Sequence, residues 1–285
     1  MNKRVFLLLS FLISLTLFNY LVLAYDLNGD NKVDVRDIVI VAKAFKTKPG
    51  DLNWNPKADL DGNGRIDIND INKVANNWKT RATLKSEPTG LSTISPLSIF
   101  SNFASWLSSL IGITAEEPSP TTKVYIDPIE IKDSRLTSGN TFTVDINLYD
   151  VANLVGWQSN LKYNPAILQV TEEDVVFSDF LGENTFSQVY VDIESGVIGL
   201  LALVDPQQVM NGVPLENLAV SGSGTLVTLT FHVIGQRETD LHLYDVILAD
   251  PNALEIKSEA VDGYFNNING IQYSKMIPSS GTIVY

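Results

Sequence analysis

Two twelve-residue stretches of the chain carry oxygen-bearing side chains at nearly the same spacing. The first is DLNGDNKVDVRD, residues 26–37, and the second, DLDGNGRIDIND, begins 33 residues later at position 59. A loop that wraps a calcium ion offers side-chain oxygens at positions 1, 3, 5 and 9, a backbone carbonyl at position 7 and a carboxylate at position 12. The spacing therefore predicts two Ca2+ ions. Their ligands would be Asp26, Asn28, Asp30, Lys32 (through its carbonyl), Asp34 and Asp37 in the first loop, and Asp59, Asp61, Asn63, Arg65 (through its carbonyl), Asp67 and Asp70 in the second.

Both loops depart in small ways from the calcium loop of an EF-hand. Position 12 is aspartate rather than the longer glutamate, and position 6 of the first loop is Asn31, where glycine is usual. Asparagine also adopts the positive φ that this position needs. The alternative is a pair of solvated Asp and Asn turns that bind no ion, but a complete pattern that occurs twice favours calcium.

An apolar helical face follows each loop. The spacing i, i+3, i+4 and i+7 occurs in both copies and predicts two matching helices; the residues are Ile38, Val41, Ala42 and Phe45, then Ile71, Val74, Ala75 and Trp78. No helix leads into the second loop, because Pro49, Gly50 and Pro56 precede it. Residues 25–79 therefore resemble a type I-like dockerin, a duplicated calcium module. The resemblance implies a small all-α domain whose partner is a cohesin-bearing protein.

Residues 123–265 alternate between polar and apolar side chains in about nine runs. TFTVDINLY (141–149) and TLVTLTFHV (225–233) are two of these, and no long amphipathic helix interrupts them. The pattern predicts an all-β antiparallel sandwich. The stretches LVGWQSNLKYNPAILQV (154–170) and GSGTLVTLTFHVIG (222–235) also resemble strands of a cohesin. The resemblance implies a jelly-roll sandwich that receives a dockerin-bearing partner.

The two resemblances also imply which residues make the contacts. Cohesins contribute polar side chains from the strand before the Tyr-x-Pro turn, and dockerins contribute loop positions 10 and 11 and the helix that follows. Transferred to this chain, the implied interface residues are Gln158 and Asn160 on the sandwich and Val35, Arg36, Ile68, Asn69, Lys43 and Lys46 on the dockerin. Loop positions 10 and 11 differ between the two copies, so equivalent binding in two orientations is not expected.

The remaining segments concern export and connection. Residues 1–24 have a basic start, an apolar run and small residues before a cleavage site, which predicts a signal peptide and a secreted or cell-surface protein. An uncleaved anchor is the alternative. Residues 80–122 form a Ser/Thr/Pro linker, in which 97–113 has the spacing of an amphipathic helix suited to a neighbouring domain or a membrane surface. Residues 266–285 are a polar tail.

Charge and composition exclude several classes of protein. The net charge of -13 argues against a nucleic-acid partner, and the absence of cysteine excludes disulfides and thiol catalysis. Residues 25–79 hold nine acidic and nine basic side chains, whereas 123–265 hold 21 acidic and six basic ones. Bound calcium would make the smaller module cationic, which would attract it to the acidic sandwich. Binding between the two halves of the chain is therefore one hypothesis.

The sequence indicates a non-catalytic adaptor in a cellulosome-like or cell-surface assembly, with a link to polysaccharide breakdown. No nucleophile elbow, phosphate loop or histidine metal cluster is present, so an enzyme is not expected. The alternatives are a carbohydrate-binding sandwich, with Trp157 or surface tyrosines as stacking platforms, and an accessory part of a glycoside hydrolase system. Trp157 lies next to Gln158 in an alternating strand, which places it on the core side.

Overall fold

The computed structural model describes residues 24–84 and 122–268. The predicted signal peptide up to residue 23, the predicted helix over 97–113 and the tail beyond residue 268 lie outside the described residues. Within the described ranges, no helix combines the length and the apolar character that crossing a lipid bilayer requires.

The N-terminal unit consists of two loop–helix copies. Helix α1 spans Val35–Lys43 and helix α2 spans Ile68–Leu84. Each helix begins within the last residues of its acidic loop, because an aspartate there can accept the free N–H groups of the first turn. The apolar faces of the two helices are packed together. Their buried residues include Ile38, Val41, Ala42, Ile71, Val74, Ala75 and Trp78.

Backbone hydrogen bonds also join the two copies. The N–H of Ile66 donates to the carbonyl of Thr47 at 3.0 Å, and its carbonyl accepts from the N–H of Lys46 at 2.7 Å. Ile66 is fully buried between the copies. The second loop is therefore attached to the segment that ends the first copy, which makes the duplicated unit a single small domain.

The C-terminal unit is a sandwich of two mainly antiparallel sheets. Its elements are β1 Lys123–Asp127, β2 Glu130–Lys132, β3 Thr141–Leu154, β4 Gly156–Lys162, β5 Leu168–Gln169, β6 Val175–Phe177, β7 Phe186–Asp192, β8 Val197–Leu203, the short helix α3 Pro206–Met210, β9 Val220–Val233, β10 Glu238–Ala249, β11 Glu255–Ile256, β12 Glu259–Val261 and β13 Gly263–Asn266. The first sheet has the strand order β12-β1-β3-β9-β5, with β6 beside β9. The second has the order β2-β13-β10-β4-β8-β7, with β11 beside β10.

Aromatic rings fill the space between the two sheets. The rings of Phe142 on β3 and Phe265 on β13 stack with centroids 4.8 Å apart. Trp157 on β4 lies 5.9 Å from Phe177 on β6, so its side chain points into the core as the alternation predicts. Since neighbouring residues in a strand point to opposite faces, Gln158 must point out of the sandwich.

The predicted combination of a small helical domain and an all-β sandwich is confirmed. The described residues contain thirteen strands, more than the roughly nine that alternation indicates, because five of them (β2, β5, β6, β11 and β12) are only two or three residues long. A run of that length is too short to show a period of two in the sequence.

Candidate metal loops and docking interface

The first acidic loop closes on the carboxylate of Asp37. One oxygen of this carboxylate accepts hydrogen bonds from the N–H groups of Leu27 (2.7 Å) and Asn28 (3.2 Å), and the other accepts from the N–H of Asp34 (2.8 Å). Asp26, at the opposite end of the loop, accepts from three further N–H groups, those of residues 29–31. The loop is therefore a ring of backbone donors around its two terminal carboxylates.

The second loop repeats this arrangement almost atom for atom. Asp70 accepts from the N–H groups of Leu60 (2.8 Å), Asp61 (3.2 Å) and Asp67 (2.8 Å). One carboxylate oxygen from each of Asp59, Asp61 and Asp70 lies within 4.8 Å of the others. Three converging carboxylates are the hard oxygen donors that calcium prefers. The residues of this loop therefore fit the ion in chemical type and in placement.

Loop position 6 has a positive φ in both loops, although it is asparagine in the first loop and glycine in the second. Asn31 has φ 66° and Gly64 has φ 79°. This left-handed conformation favours glycine, but asparagine tolerates it better than most side chains. The first loop thus keeps the fold of the second without the glycine.

Arg36 makes the two loops electrostatically different. Its guanidinium group pairs with Asp30 and Asp34, with Nε 3.0 Å from an oxygen of Asp34. The hydrogen bond to Asp34 is the main reason why the pKa of Arg36 is raised. The second copy has the neutral Asn69 at the same loop position. Two of the predicted ligands in the first loop are thus already ion-paired with a cation of the chain itself.

The calcium affinity of the first loop is expected to fall below pH 6. Burial raises the pKa of Asp37 to about 6 in the metal-free protein, against hydrogen bonds that lower it. Because this pKa lies above that of the unfolded chain, the metal-free domain loses stability as the pH rises from about 4 to 6. Calcium requires the ionised carboxylate, so protons compete with it over the same interval. Calcium titrations of the full chain at pH 7.5 and 5.5 would measure this, and equal affinities would contradict it.

Helix α1 lies on the outer face of the second sheet. It packs against β4, β8 and β10 and against α3, while α2 reaches β7. The N–H of Val35 donates to the side-chain oxygen of Gln158 at 2.8 Å. A first-turn N–H has no partner within its own helix. Gln158 therefore supplies from the sandwich the acceptor that the helix lacks.

Close contact at this point depends on a glycine. A Cβ atom at Gly156 would lie 2.9 Å from the Cγ2 of Val35 and 3.1 Å from the Cδ1 of Leu203. Real Cβ atoms essentially never come within 3.0 Å of another heavy atom, so any side chain here would require Val35 on α1 to shift. Val35 is fully buried in this contact.

The outer face around Gln158 is apolar and buried. Leu201 pairs with Gln158 across β4 and β8, and Leu203 pairs with Gly156. Paired residues point to the same face, so both leucines point out of the sandwich, yet neither exposes any surface. Ile247 and Ala249 on β10 share this face and are also buried. Around Gln158 the sheet thus presents an apolar patch, defined by Leu201, Leu203, Ile247 and Ala249, against the N-terminal unit.

Polar contacts surround this patch. The Nζ of Lys43 lies 3.1 Å from the side-chain oxygen of Asn252, and Arg36 lies 3.7 Å from Glu255. These pairs link the basic side chains of α1 to the acidic sandwich. Exposed charges contribute modestly to stability but favour one orientation of approach.

The remaining predicted interface residues occupy different places. Asn160 points to the same face as Gln158 and is buried, but its amide lies 3.4 Å from Asp245 of the sandwich itself. Ile68 and Asn69 begin α2, where the N–H of Asn69 donates to Asp67 within the second loop. Lys46 follows α1 with φ 65° and is exposed.

Sequence reasoning missed several residues at this contact, namely Gly156, Leu201, Leu203, Asn252 and Glu255. One signal for the leucines was present. VIGLLAL in β8 is apolar at every position and is buried at every position, as expected for a strand covered on both faces. A strand with one solvated face would have alternated.

Comparisons with known proteins agree with both units. A family model described as dockerin type I domain matches residues 24–77, and one described as cohesin domain matches residues 129–266. None of the curated proteins compared with the chain is similar enough in sequence to count as a match.

The solved structures that resemble the chain are cohesins and cohesin–dockerin complexes. A non-cellulosomal cohesin from Archaeoglobus fulgidus is 17% identical with a TM-score of 0.39, and the match covers 51% of this chain and 89% of that one. A cohesin from a cohesin–dockerin complex of Clostridium thermocellum is 18% identical with a TM-score of 0.41, covering 51% and 98%. A type II cohesin from Acetivibrio cellulolyticus is 21% identical with a TM-score of 0.39, covering 52% and 96%.

The residues matched by the dockerin model are those that form the duplicated loop–helix unit. The residues matched by the cohesin model are those that form the two-sheet sandwich. Dockerin type I domains bind calcium, and both domains are interaction modules rather than catalysts. The chain therefore contains a type I dockerin domain joined to a cohesin domain, each of the family whose model it matches.

Proposed function

We propose that this chain is a secreted, non-catalytic adaptor whose two domains connect different proteins in a cellulosome-like or cell-surface assembly. Its dockerin binds a cohesin on one partner, and its cohesin receives a dockerin from another. The observation that carries this proposal is the pair of complementary faces: α1 with its basic side chains, and the apolar patch on the acidic sandwich.

Calcium would hold the dockerin in its docking shape. The proposed ligands are the two sets of six residues predicted from the loops, and the ion would neutralise carboxylates that otherwise repel each other. The loops lead directly into α1 and α2, so their rigidity fixes the first turns of both helices. Val35 and Arg36 are within one or two residues of Asp34 and so take their positions from the first loop.

The number of ions is tested by titrating the full chain with calcium. We expect two ions per chain, and one ion after the replacement of Asp59 and Asp61 by Ala, which leaves the second loop without two of its converging carboxylates. Asp51→Asn is the matched control, because Asp51 is an acidic residue of the same domain outside both loops. Calorimetry measures the stoichiometry. A single ion in the unaltered chain, or no ion, would overturn the proposed pair of sites.

The proposal also includes a link to polysaccharide. A carbohydrate-binding sandwich would need exposed aromatic platforms. Trp157 is 2% exposed and packs against Phe177, whereas the surface residue Tyr149 on β3 is 54% exposed. Sedimentation with insoluble cellulose separates the two functions. An adaptor stays in the supernatant unless a partner that carries a cellulose-binding module is added. A carbohydrate-binding protein sediments with the cellulose in the absence of any partner.

A further inference from the structure

The two faces that the adaptor would offer to partners are in contact with each other in this structure. Val35 donates to Gln158, Lys43 contacts Asn252, and Arg36 lies near Glu255. All three contacts connect the dockerin to the cohesin of the same chain. The side chains of Leu201 and Leu203 would be exposed on a free cohesin, but they are completely covered.

The length of the connecting segment permits this contact within one chain. The segment between the described ranges, residues 85–121, contains 37 residues. A polypeptide can extend by about 3.3–3.6 Å per residue, so this segment could bridge up to roughly 120–130 Å. A tether of this kind holds the two faces at an effective concentration of at most about millimolar. A partner present at micromolar concentration would therefore compete at a disadvantage of up to about a thousandfold.

Charge favours the same pairing. The sandwich, residues 123–265, has an excess of fifteen acidic side chains, whereas the dockerin, residues 25–79, is neutral before it binds calcium. Each bound Ca2+ makes the dockerin more positive while the cohesin remains unchanged. Calcium loading therefore strengthens the attraction between the two domains.

We propose that the dockerin of this chain occupies its own cohesin, so that the closed chain offers neither face until a partner displaces the internal contact. This inference rests on the proposed function, because the occupied faces are those that would receive partners. Closure makes the chain a self-blocked adaptor: a cohesin or dockerin from outside gains access only when its affinity or concentration exceeds the advantage of the tether.

Crosslinking in the full chain tests the closure directly. The natural sequence contains no cysteine, so Lys43→Cys with Asn252→Cys provides the only two thiols. In calcium, a short bis-maleimide is expected to link them within one chain. The yield of internally crosslinked monomer should change less than twofold when the protein is diluted a hundredfold, because an intramolecular contact does not depend on concentration. Leu52→Cys with Asn252→Cys is the matched control, since Leu52 is 99% exposed and should give little product.

Two outcomes would overturn the closure. Crosslinked dimers and longer ladders, with a yield that falls on dilution, would mean that the dockerin of one chain binds the cohesin of the next and forms open filaments. A yield no higher than that of the control would mean that the domains do not meet. If the chain binds two calcium ions but gives no crosslink between positions 43 and 252, the proposed adaptor function stands and the closure is refuted.

Discussion

Chelation of calcium from the full chain is expected to unfold the dockerin and leave the cohesin folded. The dockerin, residues 25–79, is only 55 residues long and has no disulfide, so its core is too small to provide a wide margin of stability. Calcium at a hundred times its dissociation constant contributes about 2.7 kcal/mol per site. Two sites would contribute about 5 kcal/mol, comparable with the whole stability of such a domain. The buried carboxylates of Asp37 and Asp70 then remain without a counter-ion.

Circular dichroism separates the two domains because all the long helices in the described residues belong to the dockerin. The helical signal should disappear on addition of EGTA and return with excess calcium. The β-sheet signal and the thermal unfolding transition of the cohesin should remain. Magnesium is the matched control, since it demands a smaller, octahedral site and should not replace calcium. An unchanged helical signal after complete removal of the metal would contradict the expectation.

Replacement of Leu201 by Arg is expected to weaken docking by at least about a hundredfold without unfolding the cohesin. Leu201 lies on the outer face of the sheet, is buried, and belongs to the strand that α1 packs against. In the docked state the substitution removes a buried leucine, which costs about 1.5–3 kcal/mol, and buries an unpaired charge. In the undocked state the arginine lies in water and the sandwich is unaffected.

Hydrogen exchange at the N–H of Val35 measures this effect without a partner protein. As a first-turn amide, this N–H depends for protection on Gln158 rather than on its own helix. Its exchange rate is expected to rise about a hundredfold in the Leu201→Arg variant, while amides of the β3–β9 ladder keep their rates. Thr143→Arg, at an exposed position of the other sheet, should change neither rate. Equal exchange at Val35 in both variants would exclude the outer face as the docking surface.

The acidic loops and their helices were predictable because their information is local. Each loop needs donors at fixed spacing within twelve residues, and each helix shows its buried face within one or two turns. The strands with clear alternation, such as β3, were predictable for the same reason. The two-residue strands β5 and β11 were not, because two residues show no period, and the pairing of β5 also depends on β9, more than sixty positions away.

The contact between the domains was only partly predictable. The resemblance to cohesins pointed to Gln158, and the distribution of charge pointed to attraction between the two halves of the chain. Sequence alone could not show that Gly156 faces Val35, because the close approach depends on how two separately folded surfaces fit together. Nor could it show that Arg36 pairs with both Asp34 of its own loop and Glu255 of the cohesin, which are more than two hundred positions apart.

The unlike residues at loop positions 10 and 11 give the contact between the domains a polarity. A half-turn that exchanged the two copies of the dockerin would bring Asn69 to the place of Arg36 and Ile68 to the place of Val35. Glu255 would then face a neutral amide, and the longer isoleucine would press on a sheet where Gly156 already leaves no spare room. We therefore expect the observed orientation to be favoured over the reversed one, so that whatever is attached to the dockerin points in a single direction.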